Sequence, residues 1–243
     1  MRELPWRPGS PRRPTPVRAA KNPLTRLDIV RTGLRIVQTE GIDAVSMRRV
    51  AAEFDTGPSS LYAHVTNKDE LLQLMFDEMC ALVPVPVPDG ERWIEQIREL
   101  ARASHQIMID HNDLAKAAMA TIPSGPNALR VTNAMMGMMV SGGIPPQMAA
   151  WGLDRIFLYL TADAYEYSIW RSHVKAIGNT KETYLGDLET QLVAHYESLS
   201  PDEFPYVHKH ARDFMAGSPE KRFEFGLDLL LDGLSKYARP ARS

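Results

Sequence analysis

Apolar residues recur at helical spacing along almost the whole chain from Thr25 onward, and no stretch shows the alternation of a half-buried strand. Capping residues, glycines and prolines divide this pattern into separate helices, most sharply at the alternating valines and prolines of residues 83–88. Residues 1–24 lack the pattern and are rich in proline and arginine. The sequence therefore predicts an all-α fold preceded by a flexible basic arm over residues 1–24.

Length and composition exclude several classes of protein. With 243 residues, 44% of them hydrophobic, the chain is long enough to bury a sizeable core. Its longest uninterrupted apolar stretch, residues 134–140, is too short to span a bilayer, and its N-terminus has no apolar segment typical of a secretory signal. The single cysteine excludes an internal disulfide and a multi-cysteine zinc site. We expect a cytoplasmic protein with no membrane contact, no metal and no cofactor.

Charge is distributed unevenly along the chain. Residues 1–68 contain 12 Lys and Arg against 6 acidic residues, a net charge of +6, whereas residues 69–243 contain 16 against 24, a net charge of −8. A basic N-terminal part on an acidic remainder indicates an anionic partner for the first part alone. A solubilising tail would give the same distribution, so charge does not decide the function.

Three short helices are predicted within residues 25–65. Thr25 and Asp28 are a capping pair for the first helix, and the third runs from the turn at residues 55–58 to about Val65. Two short helices joined by a tight turn are typical of the helix-turn-helix that reads DNA. The helices predicted after these three span residues 67–82, 93–108, 127–140, 145–173 and 219–237.

The residues expected to contact DNA lie on the second and third helices and in the turn between them. Arg48 is long enough to reach a guanine edge or a phosphate. The small side chains of Ser59 and Ser60 permit close approach to a groove, and donors such as Tyr62 reach the phosphates at its rim. The complete predicted DNA-binding set is Ser46, Met47, Arg48, Thr56, Gly57, Pro58, Ser59, Ser60, Tyr62, His64 and Lys68.

A resemblance to a known family rests on the same region. The run Leu-Tyr-Ala-His-Val at residues 61–65, with the Asn-Lys and Leu-Leu pairs that follow it, resembles the recognition-helix signature of the TetR family of transcriptional regulators. Residues 41–51 resemble that family's link into its second helix. Near the C-terminus, residues 223–234 resemble the last helix of the tetracycline-repressor branch.

The resemblance implies that the chain has two domains with different functions. Residues 25–70 would form the helix-turn-helix DNA-binding domain, and residues 71–243 a helical domain for effector binding and dimerisation. A homodimer would present two recognition helices, about 34–36 Å apart, to a palindromic operator on double-stranded DNA. The helices near 146–173 and 219–237 would form a four-helix bundle between the two copies. A small-molecule effector would release this repressor from DNA, with the helix at 67–82 transmitting the change.

The effector is expected to be largely apolar, with several rings, because methionines and aromatic residues are frequent in the helices of the C-terminal part. Tetracycline-responsive members hold a magnesium chelate through a histidine, but this sequence has Ala118 at the matching position, so magnesium-tetracycline is not expected. The methionines and aromatic residues of these helices could equally fill a core without contacting a ligand. The predicted ligand-binding set is Leu100, Ser104, Met108, Ala118, Met119, Ile122, Met135, Met139, Trp151 and Phe157.

Two other functions remain open on the residues alone. One is a helical enzyme that acts on a small apolar substrate, and the other is a helix-turn-helix protein that binds a protein partner. The chain has no Gly-x-Ser-x-Gly, Gly-x-x-x-x-Gly-Lys, Gly-x-Gly-x-x-Gly or His-Glu-x-x-His motif, so we do not expect an enzyme. Salt-dependent duplex binding separates a repressor from a partner-binding protein, because phosphate contacts release counterions.

Overall fold

The computed structural model describes residues 23–111, 115, 118, 123–177 and 181–239. Within these ranges the regular elements are all helices, in agreement with the all-α prediction. The predicted basic arm lies outside the described residues except for its last two positions. The α-helices in chain order are α1 (Arg26–Glu40), α2 (Met47–Ala52), α3 (Lys68–Cys80), α4 (Trp93–Asp110), α5 (Pro126–Ser141), α6 (Pro146–Ile177), α7 (Lys181–Glu197), α8 (Pro205–Lys209), α9 (Ala211–Met215) and α10 (Pro219–Ser235).

Side-chain caps begin the first three α-helices. Thr25 Oγ1 accepts a hydrogen bond from the Asp28 backbone N–H at 3.1 Å, and the Asp28 carboxylate accepts one from the Thr25 N–H at 3.1 Å. The Thr25 hydroxyl also donates to the Asp28 carboxylate at 2.6 Å, and this hydrogen bond, together with that from the Thr25 N–H, lowers the pKa of Asp28. Ser46 and Asn67 cap α2 and α3 by accepting from the N–H three residues ahead, at 3.1 and 2.8 Å. The predicted capping pair at Thr25 and Asp28 is confirmed.

The third predicted helix is not an α-helix. Pro58–Ser60 form one turn of 3₁₀ helix, after which hydrogen-bonded turns continue to Val65, whose N–H donates to the Leu61 carbonyl at 2.9 Å. Proline and the two serines that open this segment have poor helix propensity, and so short a segment does not propagate an α-helix. We call residues 58–65 the reading element, after their predicted role, and residues 25–66 the head.

The head has a small closed core of apolar side chains. Ile29 and Ile36 from α1, Leu61 from the reading element, and Leu71 and Met75 from α3 are essentially fully buried together. The same cluster continues along α3 into the rest of the molecule. The predicted domain boundary between residues 70 and 71 therefore falls inside a helix that both parts share.

The body of the molecule, residues 93–239, is arranged around α6, a helix of 32 residues. This helix packs against α4, α5 and α10, and its contact with α10 is close. A Cβ at Gly152 would lie 2.5 Å from Leu234 Cδ2, and one at Gly226 would lie 2.3 Å from the Tyr159 hydroxyl. None of the described helices is both long and apolar enough to cross a membrane.

Candidate functional sites

The reading element presents small and polar side chains to solvent. Ser59, Ser60 and Ala63 are exposed, and Tyr62 is 53% exposed, whereas Leu61 is buried in the core of the head. Of the predicted DNA-binding set, the structure places Arg48, Gly57, Ser59, Ser60, Tyr62 and Lys68 at the surface, and Ser46, Thr56, Pro58 and His64 half-buried. The exposed members share a surface with α2 and the start of α3.

Met47 was predicted to contact DNA, and the structure corrects this. Its side chain is only 8% exposed and packs in the core of the head, because the first turn of α2 directs its apolar residues inward. Ser46, next to it, uses its hydroxyl to cap α2. Of the predicted DNA-binding residues on α2, Arg48 is therefore the one whose side chain faces outward.

The tight turn before the reading element owes its shape to Asp55. Its φ of 51° lies in the left-handed region, which aspartate tolerates better than most residues do. Gly57, in the same turn, has an ordinary φ of −82°. A Cβ placed there would have no atom within 4 Å. The fold therefore does not require glycine at position 57, where the backbone is left uncovered.

Four of the five arginines of the head form ion pairs with acidic residues of the head or of α3. Arg49 donates to Glu40 and to Glu53 at 2.6 Å each, and these hydrogen bonds raise its pKa. In contrast, Arg48 and Lys68 are exposed, and no described side chain forms an ion pair or hydrogen bond with either. Two cations on the surface that carries the reading element are therefore available to an anionic partner.

Arg26 fixes the far end of the reading element. Its Nε donates to the His64 carbonyl at 3.0 Å, and its guanidinium pairs with the Glu70 carboxylate at the start of α3. Glu70 also accepts from the Thr66 N–H at 2.6 Å. The hydrogen bonds from Thr66, together with the charge of Arg26, lower the pKa of Glu70. The orientation of the reading element is thus tied to both α1 and α3.

An apolar cavity of about 150 Å³ lies between α3, α4, α5 and α6. Three residues of the predicted ligand-binding set line it: Met108, Met135 and Phe157. Across the cavity, Phe157 meets Phe76 edge-to-face, with ring centroids 6.0 Å apart. Burial raises the pKa of the Cys80 thiol, also in the lining, to about 12, so this thiol stays uncharged at neutral pH. The lining residues that the sequence did not suggest include Phe76, Cys80, Ala128, Val131, Ile156 and Leu160.

The other members of the predicted ligand-binding set that the structure describes do not line this cavity. Trp151 is 59% exposed on the outer face of α6, so its assignment to a pocket was wrong. Met119 and Ile122 lie outside the described residues. Helical spacing identifies a buried face, but it does not distinguish side chains that fill a core from those that border a cavity. Of the buried members of the set, Leu100 borders a separate cavity beside residues 84–86, whereas Ser104, Ala118 and Met139 line none of the described cavities.

A second, more polar cavity of about 460 Å³ lies between α4, α6 and α10. His105, only 8% exposed, lies at its floor with Nε2 at 2.6 Å from the Asp163 carboxylate. The His105 ring stacks on Phe223, with centroids 3.9 Å apart. This cavity does not touch α3, in contrast to the apolar one. Among the described residues, no group of three His, Cys, Asp or Glu is placed to hold a metal ion.

The outer faces of α6 and α10 carry exposed apolar side chains. Phe225 and Leu229 on α10 are 66% and 59% exposed. On α6, Leu158 is 40% exposed, and Trp151, two turns earlier, is 59% exposed. Apolar residues this large and this numerous on two adjacent helices mark an interaction surface.

Comparison with known proteins relates both parts of the chain to the same family. Residues 29–75 match the family model of bacterial regulatory proteins, tetR family, and residues 85–238 match the tetracyclin repressor-like C-terminal domain. The HTH-type transcriptional repressor DrrR1 of Streptomyces coeruleorubidus is 29% identical over 236 residues, which cover 96% of this chain and 83% of DrrR1.

Solved structures extend this similarity to three dimensions. The TetR family protein ActR of Streptomyces coelicolor, in complex with actinorhodin, is 38% identical, covers 91% of this chain and 100% of its own, and superposes with a TM-score of 0.80. ActR in complex with (S)-DNPA gives 37% identity and a TM-score of 0.78. These neighbours share the whole arrangement of head and body.

Proposed function

This chain belongs to the TetR family of transcriptional regulators, and from that premise we propose which of its residues bind DNA, effector and partner subunit. It is a ligand-responsive DNA-binding repressor. We propose that it acts without catalysis and in the cytoplasm, where operator DNA lies. We also propose a DNA-binding domain at residues 25–70 and an effector-binding and dimerisation domain at 71–243, joined within α3.

Arg48 and Lys68 are proposed to anchor the head on the operator. The observation that carries this proposal is that both are exposed and unpaired among the described residues, whereas Arg49 is paired with two carboxylates. Arg48 lies on α2, within reach of a base edge or a phosphate. Lys68 and Tyr62 are suited to phosphates at the rim of the groove. The small side chains between them allow close approach of the backbone.

The partner subunit is proposed to cover the apolar faces of α6 and α10. Burying Phe225, Leu229, Leu158 and Trp151 against a second copy removes their apolar surface from water and yields a symmetric four-helix interface. A two-fold dimer presents two heads, and therefore matches a palindromic operator.

The effector is proposed to bind in the apolar cavity, as a largely apolar compound with several rings. ActR binds actinorhodin, which makes that compound the first probe to test on this chain. The cavity, at about 150 Å³, is smaller than the roughly 300–1,000 Å³ typical of pockets for such ligands. Binding must therefore enlarge it, and the flexible side chains of Met108 and Met135 permit this. A ligand that favours the enlarged state releases the operator.

Selection from a randomised duplex pool tests the DNA-binding proposal. Enrichment of a palindrome, with affinity that falls steeply as salt increases, is expected. Arg48→Ala should then weaken binding by about 1–3 kcal/mol, which is roughly 5- to 150-fold. Arg35→Ala is the matched control, because it removes an arginine that is paired with Glu53 at 2.5 Å. No consensus from folded dimeric protein, or equal losses in the two variants, would contradict the assignment.

A further inference from the structure

The C-terminal end of α3 and the N-terminal end of α5 are joined by a buried carboxylate. Asp77, 9% exposed, accepts hydrogen bonds from the backbone N–H groups of Asn127 and Ala128 at 3.0 and 2.9 Å. It also accepts from Asn127 Nδ2 at 3.0 Å. The residue at the N-cap position of α5 is Gly125, which has no side chain to cap the helix. Asp77 of α3 thus supplies the cap that α5 lacks.

An arginine makes the reverse connection. Arg130, in the second turn of α5, donates to the Cys80 and Val83 carbonyls at 3.0 Å each, at the end of α3. Terminal carbonyls of a helix have no partner within it, and a cation there complements the helix dipole. Each helix therefore satisfies free backbone groups at the end of the other. We call Asp77 and Arg130 with these hydrogen bonds the reciprocal cap.

The absence of a side chain at Gly125 lets the Asp77 carboxylate approach the start of α5. A Cβ on Gly125 would lie only 2.2 Å from Asp77 Oδ1, so any side chain at position 125 would displace the carboxylate. Because the hydrogen bonds are buried and directional, a small separation of α3 from α5 breaks them.

The reciprocal cap lies beside the effector cavity and shares its helices. Phe76 and Cys80 of α3, which flank Asp77, line the cavity, as do Ala128 and Val131 of α5, which flank Arg130. At its other end, α3 begins at the Glu70 contact that holds the reading element. A rigid helix of 13 residues thus connects the reading element to the cavity wall.

We propose that the reciprocal cap holds α3 in its DNA-binding orientation, and that an effector acts by breaking it. Asp77 and Arg130 are positioning residues in this proposal, which rests on the proposed function. An effector too large for the cavity separates α3 from α5, the carboxylate loses its backbone partners, and α3 turns the reading element away from its operator orientation. The cap supplies the two-state contact that such coupling requires.

Asp77→Asn tests the proposal, because it keeps the shape of the side chain while it removes the charge. Operator affinity should fall by at least about fivefold, and affinity for actinorhodin should rise, because loss of the cap shifts the population toward the released state that the effector prefers. Arg130→Gln should change both affinities in the same directions. Asp228→Asn is the matched control: it breaks an ion pair with Arg98 between α4 and α10, and should leave both affinities unchanged.

The opposite signs distinguish coupling from a purely structural role. If Asp77→Asn weakens both affinities, or lowers only the melting temperature, the proposal is overturned. Hydrogen exchange at the Asn127 and Ala128 amides gives a readout without an effector: operator binding should slow it, and unchanged exchange in operator-bound wild-type protein also overturns the proposal. Wild-type protein that is folded but binds no duplex would instead refute the proposed function.

Discussion

The head and the walls of the apolar cavity are stabilised by different kinds of interaction. Capping side chains begin each α-helix of the head, and ion pairs of Arg26 and Arg49 surround its closed apolar core. The cavity walls are apolar and include two flexible methionines, Met108 and Met135. A surface that matches the spacing of bases needs a fixed support, whereas a cavity that admits a ligand needs walls that move. The comparison indicates that the head is the rigid part of this chain and that the cavity walls are the adaptable part. The helix α3 lies between them.

The largest expected effect comes from opening the closed core of the head. Leu61→Ala removes a fully buried side chain, so the free energy of unfolding should fall by about 2–5 kcal/mol and operator binding should be lost. Leu82→Ala, at a position that is 56% exposed, should stay within about 0.5 kcal/mol of wild type. Urea denaturation measures both variants. Equal free energies of unfolding for the two variants would show that the head is not tightly packed around Leu61.

A substitution on the outer face of the body should break the dimer and leave the head folded. Phe225→Glu places a charge at the proposed interface, and each dimer loses two such anchors, at roughly 2 kcal/mol or more each. Elution as a monomer, with wild-type helix content, is expected, and operator affinity should fall because a single head binds a half-site. Val87→Glu, which places the same charge at an 85% exposed apolar position in the loop before α4, is the control. A dimeric Phe225→Glu variant would place the interface elsewhere.

Filling the cavity should separate release from DNA binding. Val131→Phe adds a ring to the cavity wall, which costs about 1–3 kcal/mol if the ring is overpacked and less if the empty volume accepts it. Operator affinity should stay near that of wild type, while actinorhodin should no longer release the operator. Val140→Phe adds the same ring to α5 at an exposed position and should leave release intact. Release that persists in Val131→Phe would indicate that the effector binds elsewhere, for example in the larger polar cavity.

The smallest effect concerns the acid response of the head. Glu70 has a pKa below its ordinary value of 4.5, because Thr66 and Arg26 stabilise the carboxylate. Its contribution to stability is therefore complete above that value, and is lost as the pH falls through the lower folded-state pKa. Glu70→Gln should reduce stability slightly at neutral pH and flatten the decline between about pH 5 and pH 3. Chemical denaturation at several pH values checks this, and identical profiles would contradict the role of Glu70.

The sequence predicted features whose partners are close along the chain. Thr25 with Asp28, Asn67 with Glu70, and Ser218 at the start of α10 are visible as capping patterns, because the capping side chain and the backbone N–H that donates to it are three residues apart. The prolines after Val83 likewise ended α3 as expected.

Contacts between distant segments were not predictable in this way. Asp77 appears in the sequence only as an acid on a helix with an apolar stripe, and its partners are ordinary backbone groups 50 residues away. The long helix α6 was correctly expected to have more than one apolar face, but the sequence does not say which face meets the core, the cavity or a partner. For that reason the predicted ligand-binding set contains both Phe157, which lines the apolar cavity, and Trp151, which is 59% exposed.

Gly57 shows how freely the recognition surface of this molecule can evolve. Its backbone is ordinary and the space around it is empty, and the neighbouring Ser59 and Ala63 side chains also point away from the core. Substitutions at these positions change the DNA-facing surface without disturbing the packing beneath it. After gene duplication, one copy can therefore acquire a new operator through a few surface changes and keep the inherited effector response. The same positions are the natural ones to randomise when a repressor of this kind is redirected to a chosen promoter.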